Sequence, residues 1–158
     1  FSMSLAAIGP STRERLVAIL KSKKLDALME VRNPFDINPA ADDEVHLLCT
    51  EAMAAEPDVD SVVVGLDPTS PVVRSLKKSA REGYDIDSPE SIARTLPGLV
   101  ASCPKPVVAF IDGGPLFDPM ADKLMEQGVC IFRSSERATR ALVRYTEARL
   151  HAARLRGT

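Results

Sequence analysis

Apolar positions along the chain switch between helical spacing and short unbroken β-branched runs. Ser11-Thr12-Arg13-Glu14 has capping-box spacing, with Pro10 before it and Leu16, Ile19 and Leu20 following at helical intervals. This predicts a first helix that ends within residues 21–24. Residues 28–31 then lead into Asn33-Pro34-Phe35-Asp36-Ile37-Asn38-Pro39, where two prolines impose extended geometry, a short strand or its approach. Asp42 and Asp43 open the next helix, because acids suit the positive end of a helix dipole. Its Val45, Leu48, Cys49, Ala52 and Met53 share one face.

Glu56-Pro57-Asp58 ends that helix, and Ser61-Val62-Val63-Val64-Gly65-Leu66 reads as a strand covered on both faces. Beyond the loop Asp67-Pro68-Thr69-Ser70-Pro71, a short helix is predicted over 72–81 and an irregular stretch over 83–87. Ser88 as N-cap, with Pro89 at the first helical position, opens another helix lined by Ile92, Leu96 and Leu99. Pro97 and Gly98 should shorten or kink it. Lys105-Pro106 precedes the clearest strand, Val107-Val108-Ala109-Phe110-Ile111, which stops at Asp112-Gly113-Gly114. A helix from Asp118 and Pro119 is closed by Gly128 in a left-handed cap. Val129-Cys130-Ile131-Phe132 reads as a further buried strand, and a last helix runs from Ser134 or Ser135 to about Ala153.

Strands that alternate with helices three times predict an α/β domain with three α/β/α layers and a parallel sheet. In such sheets ligands gather at the carboxyl ends of the strands. A length of 158 residues suits one domain, here 5–158, after a start at 1–4 that reads as a cloning remnant. A net charge of −2 speaks against a nucleic-acid partner, which needs a clustered positive surface. Arg140, Arg144, Arg149, Arg154 and Arg156 are interrupted by Glu147 and have the spacing of a solvated helix face. Cys49, Cys103 and Cys130 are odd in number and lack CxxC spacing, which suggests no disulfide or metal site and a reducing, cytoplasmic setting. No apolar run approaches the roughly 20 residues of a membrane span.

Three loops carry candidate chemistry. In Asp112-Gly113-Gly114 the glycines let backbone N–H groups approach an anion closely. A tight turn is the plainer alternative, and the Asp112 carboxylate repels an anion unless a cation intervenes. Asp67, Thr69 and Ser70 precede a helix expected to start at Pro71, whose N-terminus would suit a phosphoryl group; a capped turn without ligand is the alternative. Asn33, Asp36 and Asn38 are assigned to bracing the loop backbone. His46 and His151 lack activating neighbours, so no catalytic residue is assigned. The chain has neither a GxxxxGK[ST] loop nor a GxGxxG, which argues against a complete nucleotide enzyme.

The order Arg32-Asn33-Pro34-Phe35-Asp36-Ile37, Asp58-Val59-Asp60-Ser61-Val62-Val63-Val64, Lys105-Pro106-Val107-Val108-Ala109 and Gly113-Gly114 resembles the ADP-forming acyl-CoA synthetases. The closing Gly128-Val129 and Phe132-Arg133-Ser134-Ser135-Glu136-Arg137-Ala138 extend that resemblance. More narrowly, the chain is similar to the last flavodoxin-like domain of their α part, of succinyl-CoA synthetase type, with residues 5–28 matching its lead-in helix. The resemblance implies a non-autonomous ligase domain in the interconversion of acyl-CoA, ADP and phosphate with acid, CoA and ATP through a phosphohistidine. It implies three partners in the same enzyme: a CoA-binding Rossmann domain, a phosphohistidine ligase domain and an ATP-grasp domain. CoA and ADP or ATP with Mg would belong to that full enzyme, with no cofactor bound by this domain alone. The phosphoryl group would meet a helix N-terminus near residues 67–71, with Gly113-Gly114 on the same edge. Two features depart from the simplest pattern: the long segment 68–88, and Asp67-Pro68 in place of a glycine-rich turn. FdrA-like proteins, linked to purine-nitrogen catabolism, share the domain set and match the long segment. A docking or regulatory module with no ligand of its own is a further alternative, and self-association stays open. A flavin carrier is disfavoured by 4% aromatic content without tryptophan, and a phospho-receiver by Arg133 where a lysine is needed.

Overall fold

Alternate residues of an extended run face opposite sides, and Val107–Ile111 loads both sides with apolar groups. The computed structural model describes residues 3–157, so Phe1, Ser2 and Thr158 lie outside it, including half of the expected remnant at 1–4. In it this run is β2, the middle strand of a three-stranded parallel sheet between β1 (Val62–Leu66) and β3 (Cys130–Phe132). The helices are α1 (Pro10–Ser22), α2 (Asp43–Ala55), α3 (Ile92–Ser102), α4 (Asp118–Glu126) and α5 (Ser135–Arg156). Val107, Ala109 and Ile111, with Val64 and Leu66, bury against Ile92, Leu96, Met120 and Leu124 of α3 and α4. Val108 and Phe110 turn the other way, to Phe132 and to Ala138 and Leu142 of α5. The result is a flavodoxin-like arrangement of helix, parallel sheet and helix. A second core lies between α1 and α2, around Leu16, Leu20, Val45 and Cys49.

Several local expectations are corrected. β1 and β3 are edge strands and are not covered on both faces: Val63 is 38% exposed and Cys130 is exposed. Residues 28–39 form no strand. Pro34 and Pro39 have no N–H to give a ladder, and Val31, Phe35 and Ile37 pack instead on the α1–α2 core. Helix α1 is capped by Gly9, with Pro10 in its first turn, so the Ser11 capping box is not used. The Gly9 N–H is taken by Glu56 Oε2 at 2.9 Å. Helix α3 starts after Ser91, whose hydroxyl accepts from the Ala93 N–H at 3.2 Å. Ser88 binds the backbone N–H of Asp85 instead. Pro97 does not shorten α3. It cannot donate to the Ala93 carbonyl four residues back, and the Gln127 side-chain amide fills that vacancy at 3.2 Å. Other features are as expected, including the Asp42 cap, which accepts from Val45 N, and Gly128 at φ +88°.

The helix expected over 72–81 is absent because its backbone groups bond elsewhere. Arg74 N–H goes to Asp43 Oδ2 at 3.1 Å, Ser75 N–H to the Val73 carbonyl, and Ile86 N–H to the Leu76 carbonyl. Asp43, 1% exposed in the first turn of α2, also accepts from Ile92 N at 2.8 Å and Arg74 Nη1 at 3.0 Å. Ser91 Oγ adds a bond to the Arg74 carbonyl, and the Tyr84 ring lies 4.8 Å from the Arg74 guanidinium. One carboxylate thus joins α2, the 67–91 segment and the start of α3. A buried ion pair that loses one partner leaves the other stranded, at a cost of about 3 kcal/mol or more. Asp43→Ala should therefore lower the free energy of urea unfolding by about 3 kcal/mol. A loss below about 1 kcal/mol, with the urea dependence unchanged, would show that this carboxylate is not the tie.

Candidate functional site

Leu66 pairs with Ile111 and Phe110 with Phe132, so the carboxyl ends of the three strands stand side by side. Asp67 follows β1, Asp112-Gly113-Gly114 follows β2 and Arg133 follows β3. Gly113 is dictated by packing. A Cβ there would sit 2.5 Å from Pro68 Cγ and 2.7 Å from Phe117 Cδ2, which ties the loops after β1 and β2 together. Gly114 has φ +77°, a region that favours glycine, and opens a single 3₁₀ turn, Pro115–Phe117, ahead of α4. Among the described residues the Gly113 and Gly114 amides have no hydrogen-bond partner.

Arg133 completes this corner. Its Nη2 donates to the Gly114 carbonyl at 2.8 Å and lies 2.7 Å from Asp118 Oδ1. Its Nη1 is buried without an acceptor among the described residues. Arg133 belongs to the closing motif of the sequence but was not among its candidate anion-binding residues. Applying the strand-end rule to β3 as well as β1 and β2 would have found it.

The loop after β1 differs from expectation. No helix starts at Pro71. Asp67 Oδ1 accepts from Thr69 N at 2.9 Å and Thr69 Oγ1 at 2.6 Å, so the carboxylate already fills the place where an anion would meet those donors. Ser70 is buried, and its hydroxyl donates to the Pro39 carbonyl at 2.6 Å. That bond ties the Asn33–Pro39 stretch to this loop. Asn38 Oδ1 accepts from Ala40 N and Asn33 Nδ2 donates to the Ala6 carbonyl, both at 2.9 Å, while Asp36 is exposed. Of the six candidate anion residues, the structure gathers Asp112, Gly113 and Gly114 beside Arg133. It folds Asp67 onto Thr69 and turns Ser70 inward.

Three carboxylates, Asp67, Asp112 and Asp118, share these strand ends with one guanidinium. Like charge on that side weakens the hold on a free anion. Among the described residues no three carboxylate, imidazole or thiol groups come close enough to share a metal ion. His46 on α2 is 4% exposed, with Nδ1 unpartnered. Burial holds its imidazole below the ordinary 6.5, against the opposing charges of Asp43, Asp67 and Asp42. Burial likewise pushes the Cys49 thiol up to about 12, leaving it inert.

No family model matches the sequence, and no curated protein matches it. Among solved structures, PH0766 from Pyrococcus horikoshii OT3 matches 83% of this chain with a TM-score of 0.62 and 19% identity. The chain spans about a quarter of that protein's length, 26%. At this identity the likeness shows the fold. No helix among the described residues is long and apolar enough to cross a membrane.

Two outcomes follow from this geometry. Gly113→Ala should cost about 2 kcal/mol, because Pro68 and Phe117 must both move to admit a methyl group; chemical denaturation measures it. The neutral, buried His46 sets a pH window. As pH falls below about 6.5 the unfolded chain takes up the proton first, so stability drops until the folded imidazole is also protonated. Asp87, held down by Lys123, and Glu56, held down by Thr12 and Gly9, lose their contributions only at lower pH. Unfolding at pH 7.5 and 5.5 should show a decline that His46→Gln removes; an unchanged decline in that variant would assign it elsewhere.

Proposed function

We propose that this chain is one domain of an NDP-forming acyl-CoA synthetase, of succinyl-CoA synthetase type, that works only with sister domains. Its task in this reading is to help hold the phosphoryl group at a phosphohistidine carried by another ligase domain. The observation that carries the proposal is the loop of unpartnered Gly113 and Gly114 amides at the strand ends, whose Gly114 carbonyl is held by the Arg133 guanidinium. Both belong to the motifs that carry the family resemblance, and the flavodoxin-like fold agrees with it.

The donors are of the right kind for a phosphoryl group: backbone N–H groups that cannot be deprotonated, and a guanidinium with a planar fork. Asp112 and Asp118 oppose a bare anion, which fits a site completed from outside. The sister domains would supply the phosphohistidine, CoA, nucleotide and Mg. Asp67 and Thr69 form the neighbouring wall, and Ser70, with Asn33, Asp36 and Asn38, belongs to the support beneath it.

A docking role without any ligand is the second reading, and the self-occupied Asp67–Thr69 turn favours it. Titration with inorganic phosphate, followed by amide shifts and the Arg133 side-chain resonances, separates the two. The ligase reading expects shifts at Gly113, Gly114 and Arg133, little at Thr69, and about tenfold weaker binding in Arg133→Ala. It also expects no acyl-CoA synthesis by this chain alone and phosphoryl transfer once the sister domains are added. A flat response at the strand ends with those domains present would leave docking as the function.

A further inference from the structure

The sheet has one free margin long enough to receive another strand. Val62 N–H bonds the Pro106 carbonyl at 2.9 Å, and β1 lies parallel to β2 with Val62 opposite Val107. In a parallel ladder alternate residues direct both backbone groups to the same neighbour. Val62, Val64 and Leu66 therefore serve β2, whereas Val63 and Gly65 turn N–H and C=O outward. Among the described residues nothing pairs with those four groups. Val63 is 38% exposed and Gly65 is exposed.

Proteins ordinarily guard such margins with short strands, charges, proline or bulges. The far margin follows that practice, since β3 has three residues. β1 is Val-Val-Val-Gly-Leu, with no charge and no proline. The charges lie just beyond its ends: Asp58 and Asp60 before it, Asp67 after it. None of these three forms an ion pair among the described residues. The nearby Lys105 ammonium is committed to the Glu56 carbonyl at 2.6 Å.

We infer that β1 receives an extended peptide segment of a partner protein by strand addition, and that the segment carries basic residues at both ends of a short uncharged stretch. The backbone groups of Val63 and Gly65 supply affinity, as in other strand-addition complexes. The carboxylates at either end select the charge. A second copy of this chain is a poor occupant. A two-fold pairing of β1 with itself runs antiparallel and brings Asp60 of one copy toward Asp67 of the other, and like charges across strands repel. This margin meets the Gly113–Arg133 corner only at Asp67, and its backbone groups play no part in the proposed ligase role, so the inference goes beyond that role.

Two synthetic peptides test it, Lys-Lys-Thr-Val-Thr-Val-Thr-Lys-Lys and the same core flanked by glutamates. At low salt the basic peptide should bind about tenfold tighter and slow amide exchange at Val63 and Gly65. Val63→Pro removes an outward N–H without touching the β2 ladder and should abolish binding. Asp58→Lys with Asp60→Lys leaves the strand intact and should reverse the preference, which keeps the test decisive if the proline variant fails to fold. Equal binding of both peptides, protection elsewhere, or no binding would overturn the inference. So would protection that rises with protein concentration in the absence of peptide, since that assigns the margin to self-association.

Discussion

Asp43 of α2 stands where three stretches of chain meet, and its two oxygens satisfy donors from the other two. The α2 dipole welcomes the charge, the Ile92 N–H anchors the start of α3, and Arg74 brings in the irregular crossing from β1. A carboxylate so fully removed from water survives only with this many partners. The arrangement explains how a long segment without helix or strand can still be placed well enough for Pro68 to pack on Gly113. Ser75 Oγ, bonded to the Pro68 carbonyl at 2.6 Å, passes that order on to the strand ends.

Those strand ends hold groups of both signs side by side. Unpartnered amides and a guanidinium invite negative charge, while neighbouring carboxylates keep the invitation weak until something else arrives. Such balance suits a surface over which another domain closes. In the proposed role, the Gly113 and Gly114 amides and Arg133 would fix where a phosphoryl group goes, and a sister domain would complete the charge balance.

Much of the layered architecture was legible in the residues. Val107-Val108-Ala109-Phe110-Ile111 reads plainly as a strand, and Asp42, Asp118-Pro119 and Gly128 mark helix ends by chemistry that acts locally. Where helix starts were misplaced, tertiary partners sit beside the local caps. Ser11 and Ser88 look like caps, yet Glu56 reaches the Gly9 amide and Asp43 reaches Ile92 from 47 and 49 residues away. The run of valines in β1 reads the same whether a strand is central or marginal, because periodicity does not report which neighbours exist. At the site, the Gly113-Gly114 turn was visible as a pattern. Arg133 was visible only as part of the closing motif, because its bond to the Gly114 carbonyl arises when β3 settles beside β2.

Pro97 and Gln127 carry a lesson about how such a chain can drift. The side-chain amide of Gln127 occupies the carbonyl that Pro97 leaves bare, so the two positions are unequal in freedom. Replacing the proline restores a backbone donor and releases the glutamine from duty. Replacing the glutamine first leaves the part-buried Ala93 carbonyl without that donor. A change at position 127 is therefore tolerated better once position 97 is no longer proline.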